Sequence, residues 1–372
     1  MRVIIFKVAT MKFKIGFILF LPLICGSLTG KAQDFYGMLK VDSNLWMDQT
    51  EIRTNEYREF LLWTRDSIAR KILTEKGHTE YGRLDTLPSG QICFVPSWET
   101  RIHYWDHDPD FFDGLFLENE SIYINMPVIN PKRINYRCAF GDSIVELNVF
   151  PDTSCWRMLK KPYNNESVFD EYFWHPMYDD YPMVGLTYDQ MNAFCIWRSH
   201  LFNVWNTDST NKKAKGYTVR FELPSKKQWE DIAYSNDSTD RYPGGIPKPK
   251  TVLLGPIPQK KSTNYKINSL ESNFRIIQNP DKRKGKIVEG EWSWMVPVDQ
   301  NNGYFGGSKK NKVYPFYGLA GNVAEVTIDG CLMGTSWYHP LINAEKGHNI
   351  IYNPNVPNAW TGFRCVVRLN KP

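Results

Sequence analysis

The chain has 372 residues, 42% of them apolar and 15% aromatic, with 25 Gly and 23 Pro. That is enough for one large domain or two ordinary ones, and so many rings, glycines and prolines argue for a loop-rich domain packed around aromatics, not a helical bundle. The formal charge of +5 comes from the first 32 residues, where Arg2, Lys7, Lys12, Lys14 and Lys31 meet no acid; without them 40 basic residues face 40 acidic ones. Nothing there points to a nucleic-acid partner or an anionic membrane surface.

The N-terminus reads as a leader. Lys12 and Lys14 precede an apolar run from Ile15 to Ile24, short for a membrane span, and Gly30-Lys31-Ala32 places small residues before a cleavage point at Gln33. Met11 is the better start. This predicts a signal peptide over 1–32 and an exported, periplasmic mature chain. Cys25 raises the question of a lipid anchor, although Ile24 and Pro22 depart from the usual lipobox. Six cysteines follow: Cys93, Cys138, Cys155, Cys195, Cys331 and Cys365. Export permits disulfides, but six cysteines allow too many pairings for sequence to choose. None forms a Cys-x2-Cys pair, and Cys195 and Cys365 sit in apolar surroundings that suit buried thiols.

In chain order, Trp46–Ile52 reads as a short strand, and Asn55 as the cap of a helix running to about Leu73, with Tyr57, Phe60 and Leu61 facing the core. Within 75–150, His103 and His107 with Asp106, Asp108 and Asp110 invite a metal reading, but Pro109 and the acids indicate a loop. Met183–Leu186 reads as a strand leading to Thr187 and Gln190, a reciprocal capping pair that opens a helix to about Leu201. Val219–Ser225 is a strand feeding a helix from Lys226 to Tyr234, whose buried stripe is Trp229, Ile232 and Ala233. Residues 236–290 are rich in Pro, Lys and Asn and read as irregular. Gly334–Trp337 and Phe363–Leu369 read as closing strands.

The stretch Gly318-Leu319-Ala320-Gly321-Asn322-Val323-Ala324-Glu325-Val326 stands apart. Two glycines permit close backbone approach, and a loop of this kind can aim carbonyl oxygens and one acid at a hard cation. The plainer reading is a buried turn with Glu325 as a capped surface acid.

Met47–Phe60, Pro182–Trp197, Arg220–Ala233, Gly318–Glu325, Gly334–Trp337 and Gly362–Val366, in this order, resemble the formylglycine-generating-enzyme (sulfatase-modifying-factor) family. The resemblance implies one loop-rich α+β domain over 33–372, related to C-type lectins, with 75–150 as an insertion. Phe150–Trp156 and Tyr172–Pro182 further resemble the GldK/PorK and GldJ branch. Its members are periplasmic components of the type IX secretion and gliding machinery, forming rings with a GldN/PorN partner at the outer membrane. Oxidase members of the family bind copper through two cysteines in a window that corresponds to Trp337–Thr361. No cysteine lies there; His339 and His348 do, and Cys331 and Cys365 fall outside it. No copper is therefore expected. The resemblance also implies structural calcium, one site mapping to Gly321, Val323 and Glu325, with Gly318 where the family has an asparagine ligand. A second maps to Asn273, Phe274 and Glu289, with Glu291 beside it. The expectation is a non-catalytic, oligomeric scaffold subunit of the secretion machinery. The alternatives are a metal-dependent oxidase with rearranged ligands and a lectin-like glycan binder.

Overall fold

The computed structural model describes residues 35–86, 90, 92–107, 109–120, 127–140, 143–159, 171–207, 218–234, 243, 295–299, 316–339, 344–347, 350 and 352–370. The leader, Cys25 and most of 236–290 lie outside these residues. None of the described helices is long and apolar enough to cross a membrane.

The first two strands, β1 (Met38–Asp42) and β2 (Leu45–Asp48), form a hairpin. The long helix α1 (Thr54–Glu75) follows. Three two-stranded ribbons come next: β3 (Gly82–Thr86) with β4 (Ile92–Pro96), β5 (Phe116–Glu120) with β6 (Pro127–Ile129), and β7 (Asn135–Phe140) with β8 (Ser143–Asn148). Helix α2 (Tyr188–Thr207), strand β9 (Thr218–Glu222) and helix α3 (Lys226–Ala233) follow in turn. The chain closes with β10 (Ala324–Val326), β11 (Leu332–Met333), β12 (Thr361–Gly362) and β13 (Val366–Asn370).

A four-stranded antiparallel sheet, ordered β1-β2-β13-β9, joins the two ends of the chain. Its β9 edge is not left open. From α2, Asn203 Nδ2 donates to the Val219 carbonyl and its Oδ1 accepts from the Val219 N–H, both at 2.9 Å, while Ser199 Oγ accepts from the Phe221 N–H at 2.8 Å. Helix side chains thus occupy backbone groups that would otherwise template a further strand.

Apolar periodicity explains the main core. Tyr57, Phe60 and Leu61 of α1 and Phe194 and Trp197 of α2 are buried against one another. Tyr57 stacks on Phe194 with centroids 5.8 Å apart, and Phe194 meets Phe363 edge-on at 5.5 Å. A second cluster gathers Trp156, Tyr172, Tyr178 and Trp337; a third gathers Trp229, Ile232, Phe316, Leu319 and Met333.

Several local expectations change. Helix α1 is capped at Arg53, whose N–H donates to Glu56 at 2.8 Å, and Asn55 lies inside the first turn. The carboxylate three residues on, not the asparagine, satisfies the open end. Met183–Leu186 is not a strand. Gly185 takes a φ of +76°, which breaks extended pairing, and its N–H goes to the Asn358 carbonyl while its own carbonyl accepts from Asp152. Gly334–Trp337 is likewise a turn, entered by Gly334 at φ +74° after the short β11. The Thr187–Gln190 capping pair forms, with Thr187 N–H donating to Gln190 Oε1 at 2.9 Å. Ser225 caps α3 in the same way with Gln228. His103 precedes a 3-10 turn over Tyr104–Asp106, and His107 stacks on Phe111 at 4.5 Å, so the two imidazoles do not converge.

Candidate functional site

The Gly318–Val326 stretch is buried throughout. Its strand β10 pairs antiparallel with β11 and parallel with β12, placing Glu325 beside Gly362. The surface-acid reading is corrected: Glu325 is 1% exposed. Its Oε2 accepts from Trp229 Nε1 at 2.7 Å and from Arg364 Nε at 2.6 Å, and its Oε1 accepts from Arg364 Nη2. An acid this deep needs such partners, because a buried unpaired charge is costly.

Arg364 is fully buried and ties four segments together. Besides Glu325, it donates through Nη1 to the carbonyls of Asp48 and Gln49 at 3.1 and 3.2 Å, and through Nη2 to the Tyr317 carbonyl at 2.7 Å. Desolvation works to lower its pKa, but the Glu325 charge and hydrogen bonds outweigh this and hold it above the ordinary arginine value. Behind it lies a second buried pair. Asp48 Oδ2 accepts from Arg198 Nη1 and from the Cys365 N–H, both at 2.8 Å. Arg198 is raised as well: burial works to lower it, but the Asp48 charge and hydrogen bond, with the other acidic groups nearby, together outweigh that.

Glu51 completes the cluster and differs from every other member. It is fully buried, yet neither carboxylate oxygen has a hydrogen-bond partner. Burial pushes its carboxyl up to about 8, with Arg364 opposing and Glu325 adding. The Asn322 amide stands near and eases the charge, but its Nδ2 also lies outside hydrogen-bonding geometry to any acceptor. Asn322 Oδ1 is already held by the Val296 N–H at 3.1 Å, and the residue sits at φ +55°.

Of the expected calcium ligands, Gly321, Val323 and Glu325 share this loop, and all three are buried. Asn273, Phe274, Glu289 and Glu291 lie outside the described residues. Three N–H groups already occupy acceptor positions on Glu325. Its Oε2 is saturated and its Oε1 keeps one lone-pair position, so unoccupied carboxylate capacity in the cluster is concentrated on Glu51. Among the described residues no group of three or more His, Cys, Asp or Glu side chains is arranged around one point.

The window that corresponds to the oxidase cysteines is lined by rings. Tyr338 stacks on Trp360 with centroids 4.6 Å apart and planes 16° from parallel. Ser336 Oγ and His339 Nδ1 share a hydrogen bond at 2.6 Å, and Trp337 Nε1 donates to the Ala359 carbonyl at 2.9 Å. His348 lies outside the described residues. Cys365 faces away into the main core, its sulfur 3.5 Å from that of Cys195. Burial and the neighbouring Cys195 raise the Cys365 thiol well above its ordinary value, which makes it a poor source of thiolate. Cys331 sits half-buried beyond β10.

Glu51, Asp48, Arg198 and the indole of Trp229 did not stand out as members of one site. A signal existed. Arg364 interrupts a run of apolar residues from Phe363 to Val367, and Asp48 and Glu51 flank a polar pair between Met47 and Ile52. Charges embedded in apolar stretches call for buried partners of opposite sign.

These features define a class: a loop-rich α+β domain whose N-terminal hairpin and closing segment are joined through a buried arginine that a glutamate holds in place. The family follows from comparison with known families. The sulfatase-modifying factor enzyme 1-like domain matches residues 38–369, and the chain belongs to that family. The match runs through 75–150. No curated protein matches the chain.

Proposed function

We propose that this member of the family is a non-catalytic scaffold subunit of the type IX secretion and gliding machinery, similar to GldK/PorK, working with a GldN/PorN-like partner at the periplasmic face of the outer membrane. One observation carries the reading: the window from Trp337 to Thr361 contains no cysteine, and the described part of it is built from stacked rings and a Ser336–His339 hydrogen bond. Soft thiolates suit copper in a way that such a lining does not.

The surface supports an assembling role. Leu84, Ile92, Leu117, Ile144 and Val145 on the ribbons between residues 82 and 148 are exposed, as is Trp105. Exposed apolar side chains also stand at Tyr36, Met177, Ile328 and Val356; those on the ribbons would serve an interface where they form one contiguous patch.

Capture of the tagged protein from envelope extracts, with mass-spectrometric identification of what it carries, tests the proposal. A GldN/PorN-like protein recovered in stoichiometric amount is the expected result. Stoichiometric copper in the purified chain, together with oxidation of a cysteine-containing peptide, would overturn it in favour of a working oxidase.

A further inference from the structure

Two histidines from separate segments meet beyond the end of α1. His107, which the sequence pairs with His103, faces His78 instead: their ring centroids are 6.0 Å apart and their planes lie at 77°. Both residues are partly exposed, so the pair can be reached from solvent.

Each imidazole is held from its own side. His78 leaves α1 through Gly77, at φ +100°, where the Gly77 N–H donates to the Thr74 carbonyl at 3.0 Å and the His78 N–H to the Leu73 carbonyl at 2.9 Å. These two bonds close the helix end and fix the backbone from which His78 projects. His107 ends the 3-10 turn Tyr104–Asp106, stacks on Phe111 at 4.5 Å and meets the buried Phe112 edge-on at 5.5 Å. Rings restrained in this way lose little rotamer freedom on taking up a ligand.

The spacing suits a shared metal ion. Zinc–nitrogen bonds of about 2.0–2.1 Å, with the radius of each ring added, keep two imidazoles on one ion within about 6.5 Å centroid to centroid. The His78–His107 separation falls inside that limit. His78 Nδ1 also lies 3.5 Å from Glu80 Oε1. A carboxylate on one ring nitrogen sets the tautomer and leaves the other, Nε2, to a metal. Lys76, whose ammonium lies over the Phe111 ring, is turned to Asp113 at 2.9 Å and to the Phe111 carbonyl, which offsets its charge.

We propose that His78 and His107 form a zinc site, with Glu80 orienting His78 and water filling the remaining positions. Among the described residues no set of three His, Cys, Asp or Glu side chains converges here. The ion therefore has two protein ligands, fewer than the tetrahedral set of a structural site, and exchanges readily. Bound zinc fastens the 104–112 segment to the end of α1. The inference does not rest on the secretion role, and its outcome leaves that reading untouched.

Calorimetric titration of the purified, tag-free mature chain with zinc tests it. The expected result is saturable binding, of which one equivalent is lost in His78→Gln and in His107→Gln. Glu80→Ala should weaken that equivalent by about tenfold or more, and His103→Gln should leave it unchanged. On the wild-type chain, where no variant has to fold, zinc should protect His78 and His107 from diethyl pyrocarbonate and leave His103 reactive, as read by mass spectrometry. No saturable binding overturns the proposal. Binding that both His78→Gln and His107→Gln retain, with the two rings unprotected, overturns it by placing the ion elsewhere. Loss in His103→Gln with His78→Gln unaffected overturns it in favour of a site within 103–107.

Discussion

Around Glu325 every charged side chain is enclosed and all but Glu51 are paired, whereas along the ribbons between residues 82 and 148 apolar side chains stand in solvent. The enclosed region links β2, the Tyr317 segment, β10 and the turn between β12 and β13 through Arg364. It fixes how the ends of the chain meet. The ribbons contribute a surface instead: Ile92 and Ile144 are 64% and 57% exposed. The contrast separates what holds this domain together from what it offers to other molecules, and substitutions in the two regions should have opposite signatures.

The largest effect on stability is expected at Arg364. Arg364→Ala leaves Glu325 ionised and buried without its partner, and should destabilise by about 3–5 kcal/mol in chemical denaturation. Replacing Glu325 and Arg364 together by Gln and Met should recover part of that loss. A single variant within experimental error of wild type would show that the pair is not enclosed. Trp229 comes next. Trp229→Ala removes a fully buried ring and its bond to Glu325, for a loss of about 3–5 kcal/mol. Trp229→Phe keeps most of the packing and loses the hydrogen bond, for about 1–3 kcal/mol.

A smaller effect concerns pH. Burial, with the Glu56 charge adding, raises the Glu59 carboxyl from 4.5 to about 8. The folded state therefore favours the protonated form. The stability Glu59 contributes is fully present below its unfolded pKa and is lost as pH rises through about 8. Thermal melts of wild type and Glu59→Gln, compared between those limits, should converge at low pH and separate in favour of the variant as pH rises. Parallel curves would place Glu59 in solvent.

The ribbons should show the smallest change in stability and a large change in assembly. Ile92→Lys and Ile144→Lys replace exposed residues, so each should shift stability by no more than about 0.5 kcal/mol. Both should reduce recovery of partner proteins in the envelope capture. If either variant unfolds the chain while Arg364→Ala does not, the roles assigned to the two regions are reversed.

The helices and the cap of α2 were legible because their signals are local, whereas the cap of α1 fell on Arg53 and not on Asn55. The stripe of Tyr57, Phe60 and Leu61 and the Thr187–Gln190 pair each follow from spacing within a few residues. The strands at 183–186 and 334–337 were misread for the opposite reason. Met183–Leu186 is apolar and Thr335 and Trp337 are strand formers, but Gly185 and Gly334 adopt positive φ, and Gly185 sends its N–H to the distant Asn358 carbonyl, which tertiary context alone decides. At the site, the loop and its acid could be located from the glycine spacing. The partners could not: Arg364 lies 39 residues from Glu325 and Asp48 lies 150 from Arg198, and no spacing rule reaches that far. Glu51 was hidden as well, because the room for its buried carboxyl group comes from Gly318 having no side chain.

The measurement closest to the centre of the scaffold reading is native mass spectrometry of the purified mature chain, alone and mixed with a GldN/PorN-like protein. A discrete homo-oligomer or a stoichiometric complex, reduced by Ile92→Lys or Ile144→Lys, is the expected result. A strictly monomeric chain that binds no such partner would contradict it.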